Sequence, residues 1–242
     1  MNDTAPTLPR IAPESTLGDI VRARPATARV FEKLGLDYCC GGKRTLAAAC
    51  AQRQLETATV ATLLETLDGA PAPDLVAVDT MPLGALCDHI VSAHHDHLRT
   101  ELPRLDRMTA RVAEVHGAEE PRLIAIRKTF ETFSSELASH MHDEEMRVFP
   151  RIRSLAAATA SDDIRHDRET LRAAIDELET EHTHAGAALE AFRILSDGFT
   201  PPDWACNTYR ALFHALGELE RDMHQHVHKE NNVLFPRALA AS

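Results

Sequence analysis

One pattern of histidine and glutamate occurs twice in this sequence of 242 residues. The two copies run from His140 to Arg151 and from His226 to Arg237. In each copy a glutamate follows the histidine by four positions, a phenylalanine by nine and a proline by ten. A spacing of four places both side chains on one face of a helix, one turn apart. Helical bundles hold pairs of metal ions with histidines and carboxylates arranged in this way, so the repeat predicts a two-metal site inside a bundle.

Stripes of apolar residues lead into both copies. Apolar side chains recur at intervals of three and four over 123–137 and 212–223, and each stripe continues into the histidine and glutamate of its repeat. A third stripe over 171–192 contains His182. Stripes of this kind face the core of a bundle. Burying two carboxylates there costs several kcal/mol unless a positive charge compensates, and a metal ion would compensate the carboxylates and the imidazoles together.

The first long helix offers further histidine ligands. Helical periodicity fits His94 and His95 equally well, so it leaves both open. The repeat favours His95, because His95 precedes His140 by 45 residues and His182 precedes His226 by 44. Four histidines and two glutamates without a thiolate suit iron or manganese better than a structural zinc ion. If both glutamates bridge and each metal takes two histidines, coordination positions stay open for a small molecule or an oxo group.

The composition disfavours several classes of protein. A formal net charge of −11 disfavours binding to nucleic acid or to an anionic membrane. No apolar run reaches the roughly 20 residues of a membrane-spanning helix. Met1–Ser15 lacks the basic and apolar parts of a secretory signal. The five cysteines fit neither a disulfide framework nor a zinc-binding spacing, which predicts the reducing cytoplasm.

The helix signals predict an all-α protein with a small and a large part. The small part contains Thr16, expected to cap a helix, and Gly35, expected to end one. The large part has long helices with short connections, which favours an antiparallel four-helix bundle. The predicted divisions are a flexible N-terminus at 1–15, a small helical domain at 16–68, a linker at 69–82 and the bundle at 83–242.

Four long helices are predicted within the bundle. Three prolines that lie inside these helices, beyond the first residue, are each expected to kink or end the helix locally, because proline cannot donate a backbone hydrogen bond. Histidines that fall off the apolar stripes are expected on the surface. The predicted helices are 83–115, 121–157, 163–197 and 203–240. The prolines are Pro103, Pro150 and Pro236, and the off-stripe histidines are His142, His184, His224 and His228.

The small domain contains an adjacent pair of cysteines, Cys39 and Cys40, followed by two glycines and a helix predicted from Thr45. Adjacent cysteines cannot form an unstrained disulfide with each other. Two interpretations stay open. The pair consists of small buried side chains, or it consists of reactive thiols whose pKa is lowered by the start of the following helix.

The segment Asp37–Lys43, with Thr45 and Leu46 behind it, resembles the N-terminal domain of the iron–sulfur cluster repair di-iron proteins, the RIC, ScdA or YtfE family. Residues Leu83–Leu239 resemble the hemerythrin-like domain of that family, and Glu230–Leu239 is similar to its closing motif. The YCCGG sequence is the specific part, because hemerythrin-like patterns occur in proteins of many unrelated functions. The resemblance covers nearly the whole chain in the domain order of the family.

The resemblance implies two non-haem iron ions. It implies that Glu144 and Glu230 bridge the irons, with an oxo group between them, and it chooses His95 over His94. It also implies that Cys39 and Cys40 are functional thiols, with redox chemistry as one option. The implied iron ligands are His95, His140, Glu144, His182, His226 and Glu230.

The function implied by the resemblance is a cytoplasmic stress response. The chain would support repair of iron–sulfur clusters damaged by nitrosative or oxidative stress, by donating iron to damaged iron–sulfur proteins that it binds transiently. Two alternatives use the same site: nitric oxide binding or reduction, which would make the chain an enzyme, and oxygen binding or sensing. No nucleic acid or membrane partner is expected, and the small domain is a candidate for homodimer formation.

Overall fold

A computed structural model describes residues 10–67, 78–157 and 162–241, and every regular element among them is helical. The predicted all-α class is therefore confirmed. The chain forms two compact units, Met1–Met81 with Val227–Val233 and Pro82–His226 with Leu234–Ser242. Most of the predicted linker and most of the predicted flexible N-terminus lie outside the described residues. No helix in the described ranges is long and apolar enough to cross a membrane.

Short helices build the first unit, and their ends follow local sequence signals. The Thr16 hydroxyl accepts a hydrogen bond from the Asp19 amide at 3.2 Å, and Gly35 ends its helix in the left-handed conformation at φ 64°. Both predictions for these residues are confirmed. Leu17, Phe31 and Leu46 are fully buried in the core of the unit. The helices are α1 Leu17–Ala23, α2 Ala28–Leu34, α3 Leu46–Gln52 and α4 Thr57–Glu65, with 3₁₀ turns at Pro25–Thr27 and Val78–Thr80.

Asn232 packs against two glycines of the same unit. A Cβ atom on Gly18 would lie 2.5 Å from Asn232 Oδ1, and one on Gly42 would lie 2.3 Å from it. The Asn232 amide donates hydrogen bonds to the carbonyls of Tyr38 at 3.3 Å and Cys39 at 3.1 Å. A Cβ atom on Gly42 would also lie 2.7 Å from the Tyr38 carbonyl oxygen, so Gly42, the second glycine after the cysteine pair, is required for this close packing.

From Leu83 onward the described residues form four long helical runs, and three of the four runs contain a π-helical turn. Residues 227–233 of the last run belong to the first compact unit, and the rest belong to the second. The runs agree with the predicted helices to within a few residues, except that the last begins at Asn207 instead of 203. They consist of α5 Leu83–Ile90, a π turn Val91–His95 and α6 Asp96–His116; α7 Arg122–Asp143, a π turn Glu144–Val148 and α8 Phe149–Ala157; α9 Asp162–Leu195; and α10 Asn207–Lys229, a π turn Glu230–Leu234 and α11 Phe235–Ala240.

Two of the three prolines lie where a helix restarts. Pro150 is the second residue of α8 and Pro236 the second residue of α11, each directly after a π turn, so the predicted local break is confirmed there. Pro103 lies inside α6, and the helix continues on both sides of it. At Pro103 the helix does not end, because the buried Leu102 and Leu105 hold the apolar face of α6 in the core on both sides of a single missing donor. The alternative, a local kink at Pro103, stays a prediction.

The predicted apolar stripes form the core of the second unit. Leu123, Phe130, Leu171 and Leu216 are at most 2% exposed. Fully burying side chains of this size stabilises the fold by about 1.5–3 kcal/mol each. The same stripes carry the repeated histidines and glutamates into the interior, so apolar packing of the helices positions the candidate ligands.

Candidate metal centre

The first group of candidate ligands consists of His95, Glu144, His226 and Glu230, all 0% exposed. His95 is the last residue of the first π turn, and the two glutamates are the first residues of the other two. His226 lies one helical turn before Glu230. The four ligand atoms lie within 4.8 Å of one another, and the Nε2 atoms of His95 and His226 are 3.0 Å apart.

The second group consists of His140, Glu144, His182 and Glu230, again with all ligand atoms within 4.8 Å. The Nε2 atoms of His140 and His182 are 2.9 Å apart. Each group therefore takes one histidine from each half of the sequence repeat. Histidines from the same half of the repeat, such as His95 and His140, do not share a group; the packing of the helices brings each together with a histidine of the other half.

The two groups share both glutamates. One oxygen of Glu144 lies 3.3 Å from His95 Nε2, and its other oxygen lies 3.4 Å from His140 Nε2. A carboxylate that offers one oxygen to each of two histidine groups has the arrangement of a bridging ligand. Two nitrogen ligands about 2.1 Å from one cation and at right angles to each other would be about 3.0 Å apart, which agrees with both histidine pairs.

Carboxylates outside the two groups set the orientation of two histidines. Glu145 Oε1 accepts a hydrogen bond from His95 Nδ1 at 2.6 Å, and Glu181 Oε2 accepts one from His140 Nδ1 at 2.7 Å. With Nδ1 protonated, each neutral ring directs the lone pair of Nε2 inward. Burial alone would raise the pKa of Glu145, but hydrogen bonds from His95 and Arg99 hold it below its ordinary value.

Sequence reasoning missed both of these glutamates. Glu145 follows a predicted ligand and Glu181 precedes one, so adjacency to a ligand was the only signal available. Each belongs to a helical run other than that of the histidine it contacts. A single helix gives no information about which neighbour lies across from it.

The repeated phenylalanines pack on histidines of the preceding helical run. Phe149 stacks on His95 with ring centroids 5.9 Å apart and planes at 18°, and Phe235 stacks on His182 at 6.2 Å and 7°. This explains the repeat of a phenylalanine nine positions after the histidine. The ring covers one face of a candidate ligand from the same half of the repeat.

The donor set suits a cation. Two carboxylates at 0% exposure bring negative charge into the core, and the two inward nitrogen lone pairs add no positive charge. Leaving such charges uncompensated would cost several kcal/mol per carboxylate, whereas a bound cation accepts all of these lone pairs. The His and Glu groups therefore fit iron or another cation.

His94 lies outside both groups. Its Nδ1 is 2.8 Å from Asp222 Oδ1, and its ring stacks on His226 with centroids 5.0 Å apart. Burial raises the pKa of Asp222, but the hydrogen bond with His94 and the neighbouring His226 hold it below its ordinary value. His94 thus packs against the ring of the candidate ligand His226, whereas His95 itself belongs to the first group.

A cavity of about 40 Å³ lies beside the second group. Its apolar lining includes Phe133, Leu137 and Met223, and it reaches His140 and His182. This volume holds about one water-sized molecule. The cavity gives a small ligand a place next to the candidate metal centre.

The cysteine pair does not lie at a helix start. Cys39 and Cys40 precede α3 by several residues, and Thr45 caps that helix by accepting from the Ala48 amide at 3.3 Å. The interpretation that the helix lowers the thiol pKa is wrong for Cys39. A hydrogen bond with Cys40 and burial raise the pKa of Cys39 well above its ordinary value.

The off-stripe histidines divide into surface and buried residues. His142 and His184 are exposed as predicted, and His224 is half-buried. The surface prediction is wrong for His228, which is 6% exposed and packs edge-on against Tyr38 with centroids 5.5 Å apart. Burial lowers its pKa to about 4, so the ring is neutral near pH 7.

Comparison with known proteins gives matches over both parts of the chain. The ScdA_N model, described as a domain of unknown function (DUF542), matches residues 13–68, and the Hemerythrin HHE cation binding domain matches residues 88–238. This confirms the predicted hemerythrin-like bundle. The iron–sulfur cluster repair protein YtfE of Musicola paradisiaca (strain Ech703) is 37% identical over 228 residues, covering 93% of this chain and 96% of the relative. Its namesakes in Citrobacter koseri and in Escherichia coli strain UMN026 are 34% identical over 227 residues, covering 94% of this chain and 97% of each relative. The chain therefore belongs to the family of YtfE-type iron–sulfur cluster repair proteins.

Proposed function

We propose that the chain holds two iron ions in its helical bundle and donates iron for the repair of damaged iron–sulfur clusters. The observation that carries the proposal is the sharing of Glu144 and Glu230 between two histidine pairs. In this arrangement one iron lies with His95 and His226, and the other with His140 and His182. The two glutamates bridge the irons, with an oxo group completing the bridge.

The ligand count favours release of iron over permanent retention. Each iron has two histidines of its own and shares its two carboxylates with the other iron, so the protein leaves coordination positions open on both. Glu181, which orients His140, is half exposed and lines the cavity beside the second group. Movement of this carboxylate would loosen His140 first, so the second group is the side from which iron leaves.

The recipients are damaged iron–sulfur proteins, which we propose bind transiently in the cytoplasm. The names of the relatives supply this class of recipient. The chain's net charge of −11 suits transient contact with a cation-bearing or basic recipient surface better than contact with nucleic acid.

The experiment compares iron-loaded protein with variants in the reactivation of an iron–sulfur enzyme damaged by nitric oxide. Iron-loaded wild-type protein should restore activity and lose iron in proportion. Glu144→Gln keeps the side-chain shape but removes the shared charge, so it should hold less iron and restore less activity. The neighbouring Asp143→Asn, whose side chain is 37% exposed, is the matched control and should behave as wild type. Equal reactivation by metal-free wild-type protein would refute iron donation.

The cavity beside His140 and His182 supports a second candidate function, the binding or reduction of nitric oxide at the same centre. Its size suits a diatomic molecule, and Phe133, Leu137 and Met223 give part of its wall an apolar surface, while Glu136, Glu181 and His184 line the rest. Anaerobic addition of nitric oxide to the reduced protein, with detection of nitrous oxide, tests this function. Met223→Trp should fill the cavity and abolish production of nitrous oxide while iron content stays unchanged. Absence of nitrous oxide from the wild-type protein would exclude the reduction.

A further inference from the structure

A second group of metal-ligating side chains lies in the first unit. Asp37, Cys39 and Cys40 offer a carboxylate oxygen and two sulfurs, all within 4.8 Å of one another. The group belongs to the turn between α2 and α3. It shares no residue with the histidine–glutamate centre, which contains no thiol.

The separation of the two sulfurs excludes a disulfide and is compatible with a shared cation. The Sγ atoms of Cys39 and Cys40 are 3.8 Å apart, and neither cysteine is in a disulfide bond. A disulfide requires about 2.05 Å. Two sulfurs bound at about 2.3 Å to one tetrahedral cation would be about 3.8 Å apart, which is the separation observed.

The carboxylate of Asp37 is held in place beside the sulfurs. Its Oδ1 accepts from the Cys39 amide at 3.1 Å and lies 3.1 Å from Cys39 Sγ, while its Oδ2 accepts from the Gly41 amide at 2.9 Å. An oxygen and a sulfur that share one tetrahedral cation would be about 3.5 Å apart. The observed distance is within a few tenths of an ångström of that value, so small side-chain rotations bring all three atoms to bonding distance.

The backbone of the turn is fixed independently of any ligand. Asn232 donates to the carbonyls of Tyr38 and Cys39, and Gly42 packs directly against Asn232. Cys39 is buried and Cys40 is half-buried, so the second sulfur and Asp37 are within reach of solvent. A rigid turn with one buried and one accessible sulfur can accept an ion from solution and leaves a fourth position for water.

We propose that Asp37, Cys39 and Cys40 form a binding site for a thiophilic divalent cation of the zinc type. Both sulfurs bind as thiolates, so binding of one cation releases two protons to solvent. The site needs no thiolate before the cation arrives. The raised pKa of Cys39 disfavours a role as a free nucleophile at neutral pH, and the cation must displace the proton of this thiol to bind.

Titration of the full-length protein with Co²⁺ under reducing, anaerobic conditions tests the site. Thiolate ligands give Co²⁺ a strong near-ultraviolet charge-transfer band, whereas histidine and glutamate ligands in the bundle do not. Once the histidine–glutamate centre is loaded with iron, one further equivalent of Co²⁺ should produce the band, and Zn²⁺ should displace it. The double variant Cys39→Ser/Cys40→Ser should lose the band and keep its helical circular dichroism. Asp37→Asn should weaken binding by about tenfold or more, because it removes the only charged oxygen of the group.

Cys206 provides the matched control. It is exposed, and its Sγ lies 3.3 Å from His116 Nε2, so it offers a competing thiol in the second unit. Cys206→Ser should leave the band and its stoichiometry unchanged. The proposal is overturned if wild-type protein gives no band with excess Co²⁺, if the band survives in the double cysteine variant, or if Cys206→Ser removes it.

Discussion

The carboxylates that contact the outer nitrogens of His95 and His140 provide a graded test of the metal centre. Removing such a partner lowers metal affinity by about 10–100-fold, or roughly 1.4–2.8 kcal/mol. Glu145 has 24% of its side chain exposed and Glu181 has 50%. Water replaces the more exposed Glu181 as a hydrogen-bond acceptor more readily than it replaces Glu145. We therefore expect Glu145→Ala to lower the affinity for iron about 50–100-fold, and Glu181→Ala to lower it about tenfold.

The assay is the dissociation constant for Fe²⁺, measured anaerobically by competition with a chromophoric chelator. Glu177→Ala is the control for Glu181, because Glu177 lies one turn earlier on α9 with 70% of its side chain exposed, and it should change affinity by less than about twofold. Arg99→Ala is the control for Glu145, because it removes the ion pair with Arg99 and leaves the contact with His95 intact. If Glu145→Ala binds iron as tightly as wild type while remaining folded, Glu145 does not orient His95 and the proposed ligand geometry is wrong.

Three further predictions concern the folded chain. Gly42→Ala should lower the free energy of unfolding by about 1–3 kcal/mol in urea denaturation, since its Cβ would overlap both Asn232 and the Tyr38 carbonyl oxygen. The control is Gly84→Ala in α5, where a Cβ meets only Arg153 at 3.5 Å; it should be neutral or stabilise by up to about 1 kcal/mol. Phe149→Ala should lower the free energy of unfolding, again measured in urea, by about 3–5 kcal/mol, because it leaves a void beside His95. A loss below about 1 kcal/mol would show that the stacking is not maintained. Iodoacetamide should modify Cys206 before Cys39 at neutral pH, as followed by mass spectrometry. Labelling of Cys39 should increase only as the pH rises beyond the usual range of a thiol, since its pKa is raised; rapid labelling at neutral pH would contradict this.

The helices and the candidate ligands were accessible from sequence because both are encoded in spacing. A histidine and a glutamate four positions apart at the end of an apolar stripe share the buried face of that stripe, whatever the neighbouring helices are. His140, Glu144, His226 and Glu230 are buried for this reason. Periodicity could not separate His94 from His95, because both are buried and only tertiary packing directs one of them into the first group.

The features that escaped prediction depend on contacts between separate elements. Glu145 and Glu181 contact histidines of other helical runs, and nothing within one helix records that pairing. His228 was assigned to the surface because the stripe marks one buried face, but Tyr38 buries a second face of 227–233. The π turns also escaped prediction, because spacings of three and four are compatible with an uninterrupted α-helix over the same residues.

The π turns fix the rotational phase of the helical segments that follow them. A π turn holds one residue more than an α turn, and each residue advances a helix by about 100°. Deleting Met146 from the turn Glu144–Val148 would keep every candidate ligand, yet it would turn Phe149 about 100° away from His95. Deleting Asn231 from the turn Glu230–Leu234 would likewise turn Phe235 away from His182. The number of residues between each shared glutamate and its phenylalanine is therefore as constrained as the identity of the candidate ligands.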